Sequence, residues 1–311
     1  MAGFLDQITA VPGLRVGHAT SAAHGTGATV ILCDGLWPAA ADVRGGGPGL
    51  REIDVMAPEN LVPGIHAITL SGGSVFGLAA ADGAVAELAR AGVGLDLGVA
   101  HRVPIVPGAV LFDLNAPGDK HWAEPPYHTL GREAARAALD SAPGTRFATG
   151  SVGAGTGAMA GAAKGGIGSA AIMLEHGLVV GALVAVNAVG AVHPDGGWDG
   201  AGDPFPPGGR LNDMGWMRPG TATTLAVVAC NARLDKAEAK RIAIMAHDGM
   251  ARAIRPIHTP FDGDVVFALA GGPIALGDAG AERSRPWWLA RIGAAAADCL
   301  TRAIVRAAAP G

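Results

Sequence analysis

Forty-nine glycines punctuate this 311-residue chain, and they flank its apolar runs instead of replacing them. Half of the residues (50%) are apolar and only 16% are charged, so the glycines do not belong to a flexible linker. The pattern demands closely approaching layers joined by tight turns, where a residue without a Cβ lets two backbones meet. A mean hydropathy of +0.33 over this length allows a large buried core.

The apolar runs predict the elements. Runs 28–33 (ATVILC), 65–70 (IHAITL) and 103–114 (VPIVPGAVLFDL) are bounded by Gly, Pro or Asp and predict strands. Segments 74–91 and 129–141 carry helix formers at helical spacing, with Ser74 the expected N-cap of the first. Between 170 and 192, two apolar runs flank Glu175, His176 and Gly177 and predict a hairpin. Residues 195–220 are dense in Gly, Pro, Asp and Asn and predict a long irregular connection. A β-branched strand is predicted at 223–230, followed by a helix at 235–255 with an Asp235/Glu238 capping box and a stop at Pro256. A strand at 265–270 and a helix at 286–308 complete the chain. Hairpins and long helices without a strict βαβ rhythm give a layered α+β class.

Several functions are excluded. A net charge of −4 and a pI near 6.2 leave no basic footprint for nucleic acid and no polybasic patch for a membrane. The apolar run 177–192 is interrupted by Asn187 and is shorter than the ~20 residues of a membrane span, so it reads as buried strand. MAGFLDQITAVPG lacks the features of a signal peptide, and Cys33, Cys230 and Cys299 have no disulfide or zinc spacing; a reducing cytoplasm is the expected setting. GTGAMA (155–160) satisfies G-x-G-x-x-A but follows ATGS, not an apolar strand, so a structural turn is expected and no cofactor. In GGSVFG (72–77) the second glycine lies too far from Ser74 for a serine-hydrolase elbow. His193, His247 and His258 have no metal-ligand spacing, and no metal is expected. Asp262-Gly263-Asp264 reads as a turn whose carboxylates bind backbone. Thr223 is by itself a strand residue, but it opens its strand after the long irregular segment. An N-terminal nucleophile needs such a place, because the preceding chain must be able to leave.

Eight segments together resemble one family over nearly the whole length: PGLRVGHAT (12–20), TGATVILC (26–33), DVRGGGPGLRE (42–52), LSGGSVFGLAAADG (70–83), VPIVPGAVLFDL (103–114), GSVGAGTGA (150–158), LVAVNAVG (183–190) and TTLAVVACNARL (223–234). AHDGMARAIRPIHTPFDGD (246–264) is similar to its segment ending in paired aspartates. The family comprises L-aminopeptidase D-Ala-esterase/amidase, β-peptidyl aminopeptidases and nylon-oligomer hydrolases. The resemblance implies an αββα four-layer sandwich like that of N-terminal-nucleophile hydrolases, with different strand connectivity. It implies self-cleavage between Ala222 and Thr223 into chains 1–222 and 223–311, and oligomers of such pairs. Thr223 would be the nucleophile, Asn187 the oxyanion donor, Lys164 the residue that tunes the nucleophile, and Asp262 and Asp264 would position charges. The substrate would be a small peptide or an amino-acid amide; L-, D- and β-amino acids all remain open. Phe76 stands where some members have a tyrosine, and Ala222 where many have Asn or Gly. Two other readings share the nucleophile or the fold: an acyltransferase similar to ornithine acetyltransferase, and an unprocessed, non-catalytic scaffold.

Overall fold

The structure, a computed structural model, describes residues 4–193, 220–277 and 283–309. The irregular segment at 195–220 therefore lies outside the described residues except for Gly220. In chain order the strands and α-helices are β1 (Leu14–Ser21), β2 (Thr26–Trp37), β3 (Ala39–Val43), β4 (Gly49–Arg51), β5 (Ile65–Ser71), α1 (Ala79–Arg90), β6 (Gly108–Val110), α2 (Tyr127–Asp140), β7 (Met159–Ala160), β8 (Ala163–Lys164), β9 (Gly166–Met173), β10 (Val179–Asn187), β11 (Ala191–Val192), β12 (Thr223–Ala232), α3 (Lys236–Ala253), β13 (Ile254–Arg255), β14 (Val265–Ile274) and α4 (Arg285–Ala307).

Two five-stranded sheets form, in the orders β1-β2-β5-β6-β4 and β3-β14-β12-β10-β9. Their strand pairs are antiparallel apart from β5 with β6 and β12 with β14. Three apolar layers hold them. One lies between the sheets, built from side chains such as Ile31, Ile68, Leu183, Leu225 and Phe267. A second seats α1 and α2 on the first sheet, and a third seats α3 and α4 on the second. The αββα expectation thus holds, with each sheet buried on both faces. That is why its strands read as unbroken apolar runs. Among the described residues, no helix is long and apolar enough to cross a membrane.

Side-chain alternation sets which residues reach the inter-sheet layer. Along β12, Leu225, Val227 and Ala229 enter it, whereas Ala226, Val228 and Cys230 face α3 and α4. Along β10, Leu183 and Ala185 do the same, with Val184 and Val186 on the helical side. The hairpin expected between 170 and 192 is β9 and β10, closed at Glu175, His176 and Gly177. The capping box at the head of α3 is present: Glu238 N–H donates to Asp235 at 2.8 Å and Asp235 N–H to Glu238 at 3.0 Å. GTGAMA follows a buried turn at Gly153–Gly155, as a structural reading requires.

Two expectations are corrected. Only Gly108–Val110 of the run 103–114 is a ladder strand, because Pro104 and Pro107 carry no N–H to donate. Ser74 is not an N-cap: its φ is +52°, and its N–H donates to the Leu111 carbonyl at 2.9 Å. A 3-10 turn, Ser74–Leu78, precedes α1 instead. The cause is Asp113, whose carboxylate accepts the Gly73 N–H at 2.7 Å and the Thr26 hydroxyl at 2.6 Å, fixing the turn from 40 residues away. Gly73 needs its φ of +85°, and a Cβ there would lie 2.0 Å from the Tyr127 ring.

Candidate active site

The antiparallel register of β10 and β12 places Asn187 opposite Thr223. Asn187 has the parity of Leu183 and Ala185, and Thr223 that of Leu225 and Val227, so both belong to the inter-sheet side of their strands. Both are buried. Thr224 has the opposite parity.

Around Thr223 the chain is held closely. Its hydroxyl donates to the carbonyl oxygen of Ala222 at 2.5 Å, and the Gly263 N–H donates to the same oxygen at 2.9 Å. Ala222 bridges to Asp262 in parallel, continuing the pairing of β12 with β14 upstream of both strands. Gly263 must be glycine here: a Cβ would lie 2.7 Å from the Thr223 hydroxyl and 2.8 Å from the Gly47 carbonyl. Asn187 is fixed at both ends of its amide. Its Nδ2 donates to the Phe112 carbonyl and its Oδ1 accepts the Met159 N–H, each at 2.9 Å. Phe112 takes one of the two Nδ2 hydrogens.

The two aspartates are fully buried and bind mainly backbone. Asp262 accepts the Thr259 N–H at 2.9 Å, the Thr259 hydroxyl at 2.5 Å and the Val189 N–H at 3.3 Å. Burial, reinforced by the charge of Asp264, pushes its carboxyl up to about 6. Asp264 accepts the Thr224 N–H at 2.7 Å on one oxygen. Its other oxygen takes the His258 N–H at 3.0 Å and meets His258 Nδ1 at 2.8 Å. The sequence reading of this stretch as a turn with backbone-binding carboxylates is met, and it also packs beside Thr223.

Lys164 ends β8, is exposed, and pairs in register with Met159, the residue whose N–H binds Asn187. Thr223, Ala222, Asn187, Asp262 and Asp264 are therefore brought together, and Lys164 joins them through the β7/β8 hairpin. Phe76 is exposed, with its ring edge-on to Trp122 at 6.2 Å between centroids. Sequence reasoning missed the parts played by Gly263, His258 and His247. Sequence spacing addresses the two histidines only as metal ligands, and among the described residues no group of three or more His, Cys, Asp or Glu could hold a metal ion.

Residues 6–310 match the family model described as Peptidase family S58. The chain belongs to that family. An S58 peptidase hydrolyses peptide bonds, so the chain is an enzyme and not an inert scaffold. One relative, an uncharacterized aminopeptidase of Mycobacterium tuberculosis, is 43% identical over 97% of this chain and 93% of its own length. Among solved structures, a Burkholderia sp. β-aminopeptidase superposes with a TM-score of 0.70 at 25% identity, covering 99% of this chain and 87% of that one. The L-aminopeptidase D-Ala-esterase/amidase of Ochrobactrum anthropi, described as a new variant among the Ntn hydrolase fold, superposes with a TM-score of 0.65 at 20% identity over 97% and 85% of the two chains. That likeness gives the fold: an α+β, N-terminal-nucleophile-like sandwich.

Proposed function

We propose that this S58 peptidase is made as a precursor, cuts itself between Ala222 and Thr223, and then acts as an aminopeptidase/amidase on small peptides and amino-acid amides or esters. The observation that carries this reading is the pair of donors on the Ala222 carbonyl. The Thr223 hydroxyl lies against the bond to be cut, and the Gly263 N–H polarises the oxygen on which negative charge develops.

In the first step Thr223 Oγ1 bonds to the Ala222 carbonyl carbon, the Ala222–Thr223 C–N bond breaks, and the hydroxyl proton passes to the departing nitrogen. Water then hydrolyses the resulting ester, releasing the Ala222 carboxylate and leaving a free α-amine on Thr223. An α-amine has an ordinary pKa of about 7.7–8.0, suited to taking the proton from the adjacent hydroxyl near neutral pH. Thr223 Oγ1 then bonds to the substrate's acyl carbon, the acyl C–N or C–O bond breaks, the amine or alcohol leaves with the proton relayed by the α-amine, and water hydrolyses the new ester to release the acid. The free Nδ2 hydrogen of Asn187 serves as oxyanion donor, and Lys164 tunes the nucleophile from the hairpin.

Chains 1–222 and 223–311 would stay together, because they share one sheet: β3, β10 and β9 come from the first, β12 and β14 from the second. We extend the proposal to oligomers of such pairs in the cytoplasm, where the three buried free thiols would remain reduced. Intact mass spectrometry tests the cut: fragments beginning at Met1 and Thr223 are expected, and one uncut, inactive species overturns the proposal. A panel of L-, D- and β-aminoacyl p-nitroanilides then assigns the substrate.

A further inference from the structure

Behind Asp264 runs a hydrogen-bonded chain that the peptidase reaction does not by itself require. His258 Nδ1 meets Asp264, His258 Nε2 meets His247 Nδ1 at 3.2 Å, and His247 Nε2 meets the Asp42 carbonyl oxygen at 3.0 Å. The chain crosses three elements: the 256–264 connection, α3 and β3. Its protons can be counted. A backbone carbonyl only accepts, so His247 Nε2 carries a hydrogen. The His247 side chain is completely buried, and burial pulls it down to about 4, so it is neutral and its Nδ1 is an acceptor. The bond between the rings then requires a hydrogen on His258 Nε2. On its other side, the Asp264 oxygens already accept the Thr224 and His258 N–H groups, an arrangement that suits a carboxylate and makes His258 Nδ1 a donor as well.

We propose that His258 is held as an imidazolium by the tautomer of His247, that it cancels the charge of Asp264 beside the nucleophile, and that it is thereby a positioning residue for the peptidase. This rests on the reading of Thr223 as an N-terminal nucleophile. Two uncompensated carboxylates next to the new α-amine would favour its ammonium form, which cannot act as a base. With Asp264 paired from behind, the amine gives up its proton near neutral pH. Besides Asp264, which faces His258, the charged groups acting here are Asp42, whose Oδ2 lies 3.5 Å from His247 Nε2, and Arg44 at β3, with Lys240 of α3 on the same Asp42. Asp42 lies between Lys240 at 2.6 Å and Arg44 at 2.9 Å, so it is itself compensated and does not draw the proton away from His258.

The test uses processed wild-type and His258→Gln enzyme, with complete cutting verified by mass. Glutamine can still donate to Asp264 but carries no charge. In the variant the acid limb of kcat/KM is expected to move up by about one pH unit, with activity recovering toward the wild-type plateau at higher pH. A lower plateau with an unmoved limb would mean a structural role only and would overturn the proposal. Should the variant fail to fold or cut, nitrogen NMR of histidine-labelled wild type at pH 7 decides: hydrogens on both His258 nitrogens support the proposal, and a bare Nε2 overturns it. Neither result touches the nucleophile, whose assignment fails if Thr223→Ala remains active.

Discussion

The two flanks of Thr223 are built differently. On one side, Asp262 and Asp264 are fully buried, and each accepts three hydrogen bonds from backbone or neighbouring side chains. On the other, Lys164 is exposed on a two-residue strand joined to the site through the Met159 contact with Asn187. The first flank is tied down by these hydrogen bonds; the second stands in solvent. We read the carboxylate side as holding first the Ala222–Thr223 bond and then the new amine in one fixed geometry, and the lysine side as serving turnover alone.

Mutations can break or sharpen that contrast. The largest effect is expected from Thr223→Ala, which should give an uncut chain with no amidase activity, seen by intact mass and p-nitroanilide assay. Next, Gly263→Ala inserts a Cβ 2.7 Å from the Thr223 hydroxyl and should slow self-cleavage by about 10²-fold, the scale of a roughly 1 Å misplacement, measured as the rate of fragment appearance. Asn187→Ala should lower kcat by about 10²-fold through the lost oxyanion donor, and also loosen the hairpin that carries Lys164. Lys164→Met should reduce kcat/KM by about tenfold or more while changing stability by less than about 0.5 kcal/mol, because the side chain is exposed. If Lys164→Met instead slowed cutting while the enzyme, once cut, turned over at the wild-type rate, the assignment of the lysine side to turnover would be overturned.

The smallest effect is on stability against pH, best measured in uncut Thr223→Ala. Burial lowers His18 and His247 to about 4 and lowers His66 as well. The folded chain keeps them neutral where the unfolded chain, near 6.5, binds protons, so stability is present above 6.5 and lost as pH falls toward 4. Asp262, raised to about 6, acts in the opposite sense, losing stability as pH rises from 3.8 to 6, and blunts the trend. The thermal midpoint should therefore fall as pH is lowered from 6.5 to 4. A flat profile would remove the neutral His247 on which the relay depends.

Much of this was legible in the sequence where the physics is local. The β-branched run 223–230 and the Asp235/Glu238 box translate directly into β12 and the head of α3, since each depends on residues within one element. Ser74 misled because the competing partner, Asp113, is remote in sequence. The run 103–114 misled because apolar content hid two prolines that cannot join a ladder. His247 and His258 escaped because they meet only after α3 ends and the chain turns back, a relation that no spacing rule describes. Family resemblance supplied the roles of Asn187 and Lys164; nothing in their local sequence would have done so.

The interleaving of strands across the cut has a further consequence. Before cleavage, folding is a unimolecular event. With Thr223 a terminus, as proposed, β12 and β14 would belong to one polypeptide, and the neighbours on either side of them, β10 and β3, to another. Neither polypeptide holds a complete second sheet, so reassembly after unfolding becomes a second-order encounter that slows on dilution. Maturation would thus leave the peptidase easy to keep folded and hard to refold.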